Sequence, residues 1–292
     1  MHNHTYNRIE KRLLLVLLIS ISVFLFEIIG GIISNSLALI SDSLHVLLDF
    51  TAIIVSLIAF RIAKKSSSIT LSYGFHRAEI IAALINGITL IGVSFFIFYE
   101  AYRRFQEPQT VEIYLLLWVA TAGFTANIIM ALLLKKESKS NLNIKGTYSH
   151  VIGDMFSSIG VIVGGILMIF INYPIIDSIV SVGIGILIIR SGIILCRECL
   201  HIFMEGTPNE IKVQAVSEEI TKIDGVYEIH DLHVWTLTSN VFAMSAHVKI
   251  MHEFVPQTNS LLRKINETMK EKFGINHCTI QIEHDLINPD KK

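Results

Sequence analysis

Charge is what this chain has least of. Of its 292 residues only 17% are charged and 52% are hydrophobic, whereas ordinary globular domains are about 25% charged. The deficit is uneven: residues 12–200 hold long apolar runs, and residues 206–292 have a soluble composition. Net charge is −1, which excludes the basic field that a nucleic-acid partner needs. Cysteine is scarce as well. Cys196, Cys199 and Cys278 do not make a disulfide framework, and the CxxC of the first two reads as a pair of helix-end cysteines. There is no HExxH, and no nucleophile stands beside a base, so an enzyme is not expected. Nor does the N-terminus read as a signal peptide. Arg8, Lys11 and Arg12 precede an apolar run that continues to about Ile33 without a small-residue cleavage site.

What is present is membrane-spanning length. A spanning helix needs about 20 mostly apolar residues. Six segments qualify, at roughly 12–33, 38–61, 80–102, 112–134, 147–171 and 175–196. Residues 1–11 read as an N-terminal tail. An even number of spans puts both chain ends on one side. With the N-terminus inside, the inner segments before the fifth span carry eleven Lys or Arg and the outer loops only Arg103 and Arg104. The positive-inside rule then places both termini in the cytoplasm. Residues 206–292 alternate differently. A helix is expected from Pro208 to about Ile223, strands at Val226–Leu237 and Val241–Met251, a helix from about Pro256 to Phe273, and a strand at Cys278–Glu283. The order αββαβ is that of a small two-layer α+β domain.

Two of the spans are oddly polar. His45 and Asp49 lie in the second and His150 and Asp154 in the fifth, each pair spaced HxxxD. A charge centred in a span costs about 2.5–3.5 kcal/mol on insertion scales. Residues i and i+4 share one helix face, so each helix presents an imidazole together with a carboxylate. For one pair alone, a local hydrogen-bonded couple is an equal reading. Two pairs on facing helices give an N₂O₂ set, which suits tetrahedral Zn²⁺ and not the all-oxygen shells of Mg²⁺ or Ca²⁺. Four protein ligands leave no open position for catalysis. Metal binding would release protons from His, whose ordinary pKa near 6.5 allows them to return.

The run Ser41-Asp42-Ser43-Leu44-His45-Val46-Leu47-Leu48-Asp49 closely resembles the second helix of cation diffusion facilitator zinc transporters. Tyr148-Ser149-His150-Val151-Ile152-Gly153-Asp154 resembles their fifth helix, and Tyr73-Gly74-Phe75-His76-Arg77-Ala78-Glu79 the loop before their third. His230-Asp231-Leu232-His233-Val234-Trp235-Thr236-Leu237 and Thr279-Ile280-Gln281-Ile282-Glu283 resemble their cytoplasmic domain. The resemblance covers nearly the whole chain, in order. It implies an all-α six-helix transmembrane bundle, a ferredoxin-like cytoplasmic domain and a homodimer. It also implies export of Zn²⁺ from the cytosol in exchange for protons by alternating access, through His45, Asp49, His150 and Asp154, in a bacterial cytoplasmic membrane.

The same resemblance implies secondary ligands. His76 matches a loop ligand of the family, but Ser66 to Ser72 replaces the upstream Asp and His that some members add. His230, His247, His277 and Glu283 match the cytoplasmic zinc ligands, with His233, His284 and Asp285 as neighbours. The alternative for these is a solvated histidine surface. His2 and His4 read as an incidental tract. Glu27, Asp42, Asn127, Asp177 and Arg190 also sit in or near apolar segments, and Asp42 and Asp177 would line the outer path or cap helices.

Overall fold

In a computed structural model, six long helices precede a small mixed sheet. The structure describes residues 2–63, 65, 68–135, 142–238 and 241–284, with the side chains of 2–14 and 142–146 outside that description. The His2/His4 tract and Asp285 therefore fall outside it. The helices are α1 (His2–Ser34), α2 (Leu37–Ala63), α3 (Ala78–Gln106), α4 (Ile113–Leu134), α5 (Leu142–Ile171) and α6 (Ile175–Phe203). All six are long and apolar enough to cross a membrane. Each matches an expected span, though most run longer. The α1 helix begins at His2, where a tail to residue 11 was expected.

Contacts divide the chain into two units, Met1–Ile54 with Asn86–Ile194, and Val55–Ile85 with Leu195–Lys292. In the first unit, fully buried Leu39, Ile97, Leu116, Val161 and Ile188 bring α2 to α6 into one core. Close approach is built in by small residues: a Cβ at Gly30 of α1 would come within 2.5 Å of Val119 on α4. Outward, Leu18, Ile54, Phe95, Trp118, Phe170 and Ile186 stand more than half exposed. An apolar surface of that extent suits a lipid solvent.

Asp177 shows how polar groups are satisfied in such a setting. It is 2% exposed and accepts hydrogen bonds from the Ser36 hydroxyl (2.6 Å) and from the backbone N–H of Leu37 (2.6 Å). It thus caps α2 from the start of α6, satisfying donors that a helix N-terminus leaves free. Arg104 of α3 donates to the Asn35 carbonyl at 2.6 Å and closes the same corner.

In the second unit, α7 (Val213–Thr221), β1 (Val226–Thr238), β2 (Val241–Ile250), α8 (Thr258–Phe273) and β3 (Ile275–Glu283) follow the expected αββαβ order. The sheet order is β1-β2-β3, antiparallel between β1 and β2 and parallel between β2 and β3. Val216 and Ile220 of α7 and Leu261, Ile265 and Met269 of α8 pack on Met244, Val248 and Ile250. Pro208 does not start the first helix. Lys212 is extended (φ −87°, ψ 115°) and stands at the cap instead, so the proline sits in a preceding turn. A short 3₁₀ turn, His252–Gln257, precedes α8, which begins at Thr258, two residues after the expected start.

Candidate metal sites

The i, i+4 spacing places His45 and Asp49 on one face of α2, with Nδ1 3.8 Å from Oδ2. His150 and Asp154 do the same on α5, at 3.7 Å. Between the helices, His150 Nε2 lies 3.3 Å from Asp49 Oδ2. The two imidazole rings are 6.2 Å apart and nearly edge-on. Ligands bound at about 2.1 Å in a tetrahedron stand roughly 3.4 Å from one another, so the His150–Asp49 pair across the helices already stands at that separation, and the two pairs within each helix lie a few tenths of an ångström beyond it. His45 Nδ1 and Asp49 Oδ2 are buried without a hydrogen-bond partner. Unpartnered buried acceptors are rare in folded proteins, and a metal ion satisfies both. Beside them is a cavity of about 190 Å³, lined by Ser20, Asp49, Phe50, Thr147, His150 and Asp154 among others. The bundle therefore brings together all four residues expected from the sequence.

A second cluster lies on the sheet. His230 and His247 are register partners on β1 and β2, with ring centroids 5.1 Å apart. Glu283 at the end of β3 reaches both. His230 Nε2 and His247 Nδ1 each donate to its carboxylate at 2.9 Å, since an ionised carboxylate only accepts. The His230 hydrogen bond, followed by those of Gln281 and His247, holds the Glu283 carboxyl below the usual carboxylate range against a smaller desolvation effect. Among the described residues this trio is the one group whose potential ligand atoms all lie within 4.8 Å of one another. An N₂O donor set at that spacing fits Zn²⁺.

His277 does not join the trio. It pairs with Ala243, whereas Glu283 pairs with Lys249. Six residues of strand separate the two by about 20 Å. His277 instead lies 6.3 Å, ring to ring, from Tyr73. Asp231 takes the place near the trio that the sequence reading gave to His277. It sits at a break in the β1 register with φ +50°, and its carboxylate is 3.6 Å from His247 Nε2 and 3.0 Å from His233 Nε2. The break aims Asp231 sideways, and the strand pattern alone gives no sign of that. His76 lies in the turns before α3, and no metal-ligand group among the described residues includes it.

Residues 13–204 match the cation efflux transmembrane domain, and residues 208–285 match the cytoplasmic domain of cation efflux proteins. The chain belongs to the cation efflux, or cation diffusion facilitator, family. It is an integral membrane transporter and not an enzyme. This cation efflux protein is 40% identical to a cadmium, cobalt and zinc/H⁺-K⁺ antiporter of Bacillus velezensis, over 99% of this chain and 93% of that one. It is 36% identical to the zinc transporter ZitB of Pectobacterium atrosepticum, over 99% and 90%. It is 30% identical to the proton-coupled zinc antiporter SLC30A8 of Xenopus tropicalis, over 94% and 78%. Among solved structures it is similar to the metal-bound C-terminal domain of the CzcD transporter from Cupriavidus metallidurans, with 33% identity, 25% of this chain and 99% of that one covered, and a TM-score of 0.24.

Proposed function

We propose that this protein exports Zn²⁺ from the cytosol in exchange for protons, by alternating access of a site formed by His45, Asp49, His150 and Asp154. The observation that carries the reading is the approach of His150 to Asp49, 3.3 Å across two membrane helices. It joins two local HxxxD pairs into one ligand set. Zn²⁺ enters as the substrate. Two neutral imidazoles and two carboxylates balance its charge, which removes the penalty of an ion in an apolar medium. Binding requires neutral His and ionised Asp and so expels protons. An empty site facing the other side takes protons back and returns. Relatives named as zinc/H⁺-K⁺ and proton-coupled zinc antiporters agree with this exchange. The eleven-to-two Lys and Arg bias supports a cytoplasmic side for both termini.

His230, His247 and Glu283 would hold a resident Zn²⁺ at the sheet edge, with Asp231 beside them. The ion would draw three strands together. In a homodimer of this chain it would stiffen the cytoplasmic domains in response to cytosolic zinc.

The direct test is zinc uptake into proteoliposomes under an imposed pH gradient. Flux that follows the gradient and disappears in Asp49→Ala and Asp154→Ala is the expected result. Flux that survives both substitutions removes the proposal.

A further inference from the structure

Three buried side-chain polar atoms lack a hydrogen-bond partner among the described residues: His45 Nδ1, Asp49 Oδ2 and Ser158 Oγ. A metal ion accounts for the first two but not for the third. Ser158 is 1% exposed. It follows Asp154 by four residues on α5, one turn further along the face that carries His150 and Asp154. A hydroxyl can donate one hydrogen bond and accept two, and burying it unbonded is costly. Other buried serines of the bundle avoid that cost locally. Ser41 and Ser94 each donate to the carbonyl four residues earlier, at 2.7 and 2.8 Å. Ser158 does not.

Chain direction shows which side of the metal ligands this is. The α2 and α5 helices run antiparallel. Asp49 meets His150 and Asp42 accepts the hydroxyl proton of Ser157, so rising numbers on one helix meet falling numbers on the other. The C-terminal part of α2, from Val55, belongs to the unit that holds the cytoplasmic domain. In that unit Glu79, at the start of α3, accepts a hydrogen bond from Thr238 of β1 at 2.7 Å. The cytoplasmic end of α2 is therefore its C-terminal end, and that of α5 its N-terminal end. The cavity beside the four ligands spans Val46 to Ile53 on α2 and Thr147 to Asp154 on α5, so it approaches them from the cytoplasmic side. Ser158 stands about 6 Å beyond Asp154 in the other direction, next to the Ser157–Asp42 contact that ties the two helices together.

We infer that Ser158 is a positioning residue for release of the metal, the first polar group on the outward path beyond the four ligands. Its hydroxyl is enclosed and unbonded while the site opens to the cytoplasm, and meets water when the site opens outward. The unbonded hydroxyl disfavours the first state, and hydration removes that cost in the second. The access equilibrium therefore shifts toward release. Ser158 acts on the side the ligands face and not on the metal itself. This rests on the exchange reading above and adds to it what favours outward opening.

The test uses the full chain. In proteoliposomes, Ser158→Ala should lower kcat for zinc about tenfold without raising KM. In detergent it should melt no lower than the native chain, because a methyl group in place of an unbonded hydroxyl is neutral or stabilising. A second arm places Ser158→Cys in a chain carrying Cys196→Ser, Cys199→Ser and Cys278→Ser. A membrane-impermeant thiol reagent should label it severalfold faster from the outer face than from the cytoplasmic face, which also covers the case in which Ser158→Ala does not fold. Native kcat in folded Ser158→Ala overturns the proposal. So does a raised KM, which would place Ser158 at the metal on the cytoplasmic side. A lower melting temperature overturns it as well, because the hydroxyl would then be bonded in the cytoplasm-facing state. Labelling no faster from the outer face has the same force. Zinc flux that persists in Asp49→Ala fails the exchange reading separately.

Discussion

The two metal-type clusters use the same chemistry in opposite surroundings. On the sheet, Glu283 already holds both imidazoles at 2.9 Å, at a solvated edge where charge is cheap. In the bundle, His45 Nδ1 and Asp49 Oδ2 are buried with nothing bonded to them, and the cross-helix approach is a looser 3.3 Å. In the proposed exchange, a site that releases its metal once per cycle gains nothing from being assembled in advance. A site that retains its ion gains rigidity. The difference teaches that ligand identity tells which metal is bound, while the polar partners around the ligands tell for how long.

The sharpest way to break that comparison is to remove a carboxylate from each cluster. Asp49→Ala should reduce zinc flux in proteoliposomes at least about a hundredfold, beyond what outer-shell changes cost metal sites. The Glu283→Gln chain should keep transporting, because its cluster belongs to the cytoplasmic domain and not to the proposed four-ligand set. Equal losses in the two variants would make the sheet site part of the cycle. Next in size is His45→Asp. It leaves the charge-bearing face of α2 in place but makes the set harder. Competition assays should show the preference for Zn²⁺ over Mn²⁺ falling about tenfold while flux persists. An unchanged preference would mean that His45 is not a ligand.

The membrane half was the more legible in sequence, for a physical reason. A span must be about 20 residues long and apolar, so six of them stand out. An HxxxD pair inside one is costly enough to require an explanation, and helical spacing fixes its geometry locally. The cytoplasmic ligands depend on register, which is not local. His277 and Glu283 lie at opposite ends of one strand, and only the pairing with β2 reveals that the Glu283 end is the one beside His247. Asp231 is hidden for the same reason, because its position follows from a break in pairing with β2. Pro208 carried a helix-start signal that extended Lys212 overrode. The setting of Glu27 depends on a glycine 96 residues away on another helix, which no spacing rule connects to it.

Register makes a further prediction. Zinc titration of the full chain carrying Asp49→Ala, which leaves the sheet cluster as the measured site, should lose about 10- to 100-fold in affinity on His247→Ala. His277→Ala should leave that affinity unchanged. Equal losses would mean that the strands rearrange around the metal and bring His277 in.

The smallest effect concerns charge where the solvent is water. Glu219 on α7 hydrogen-bonds the ammonium groups of Lys222, at 2.6 Å, and of Lys272 on α8. The hydrogen bonds, Lys222 first, bring its carboxyl down to about 2 from an ordinary value near 4.3. A carboxylate whose folded pKa is depressed stabilises the fold above its unfolded pKa, and the contribution is lost as pH falls toward the folded value. Melting curves of the native chain and Glu219→Gln should therefore differ slightly at neutral pH and converge between about pH 4 and pH 2. Solvent screening keeps such a pair weak, so added salt should also narrow the gap. A gap that persists at low pH or in high salt would mean that Glu219 contributes through packing and not charge. In that case the cytoplasmic unit would treat its carboxylates more as the bundle treats its own than the comparison allows.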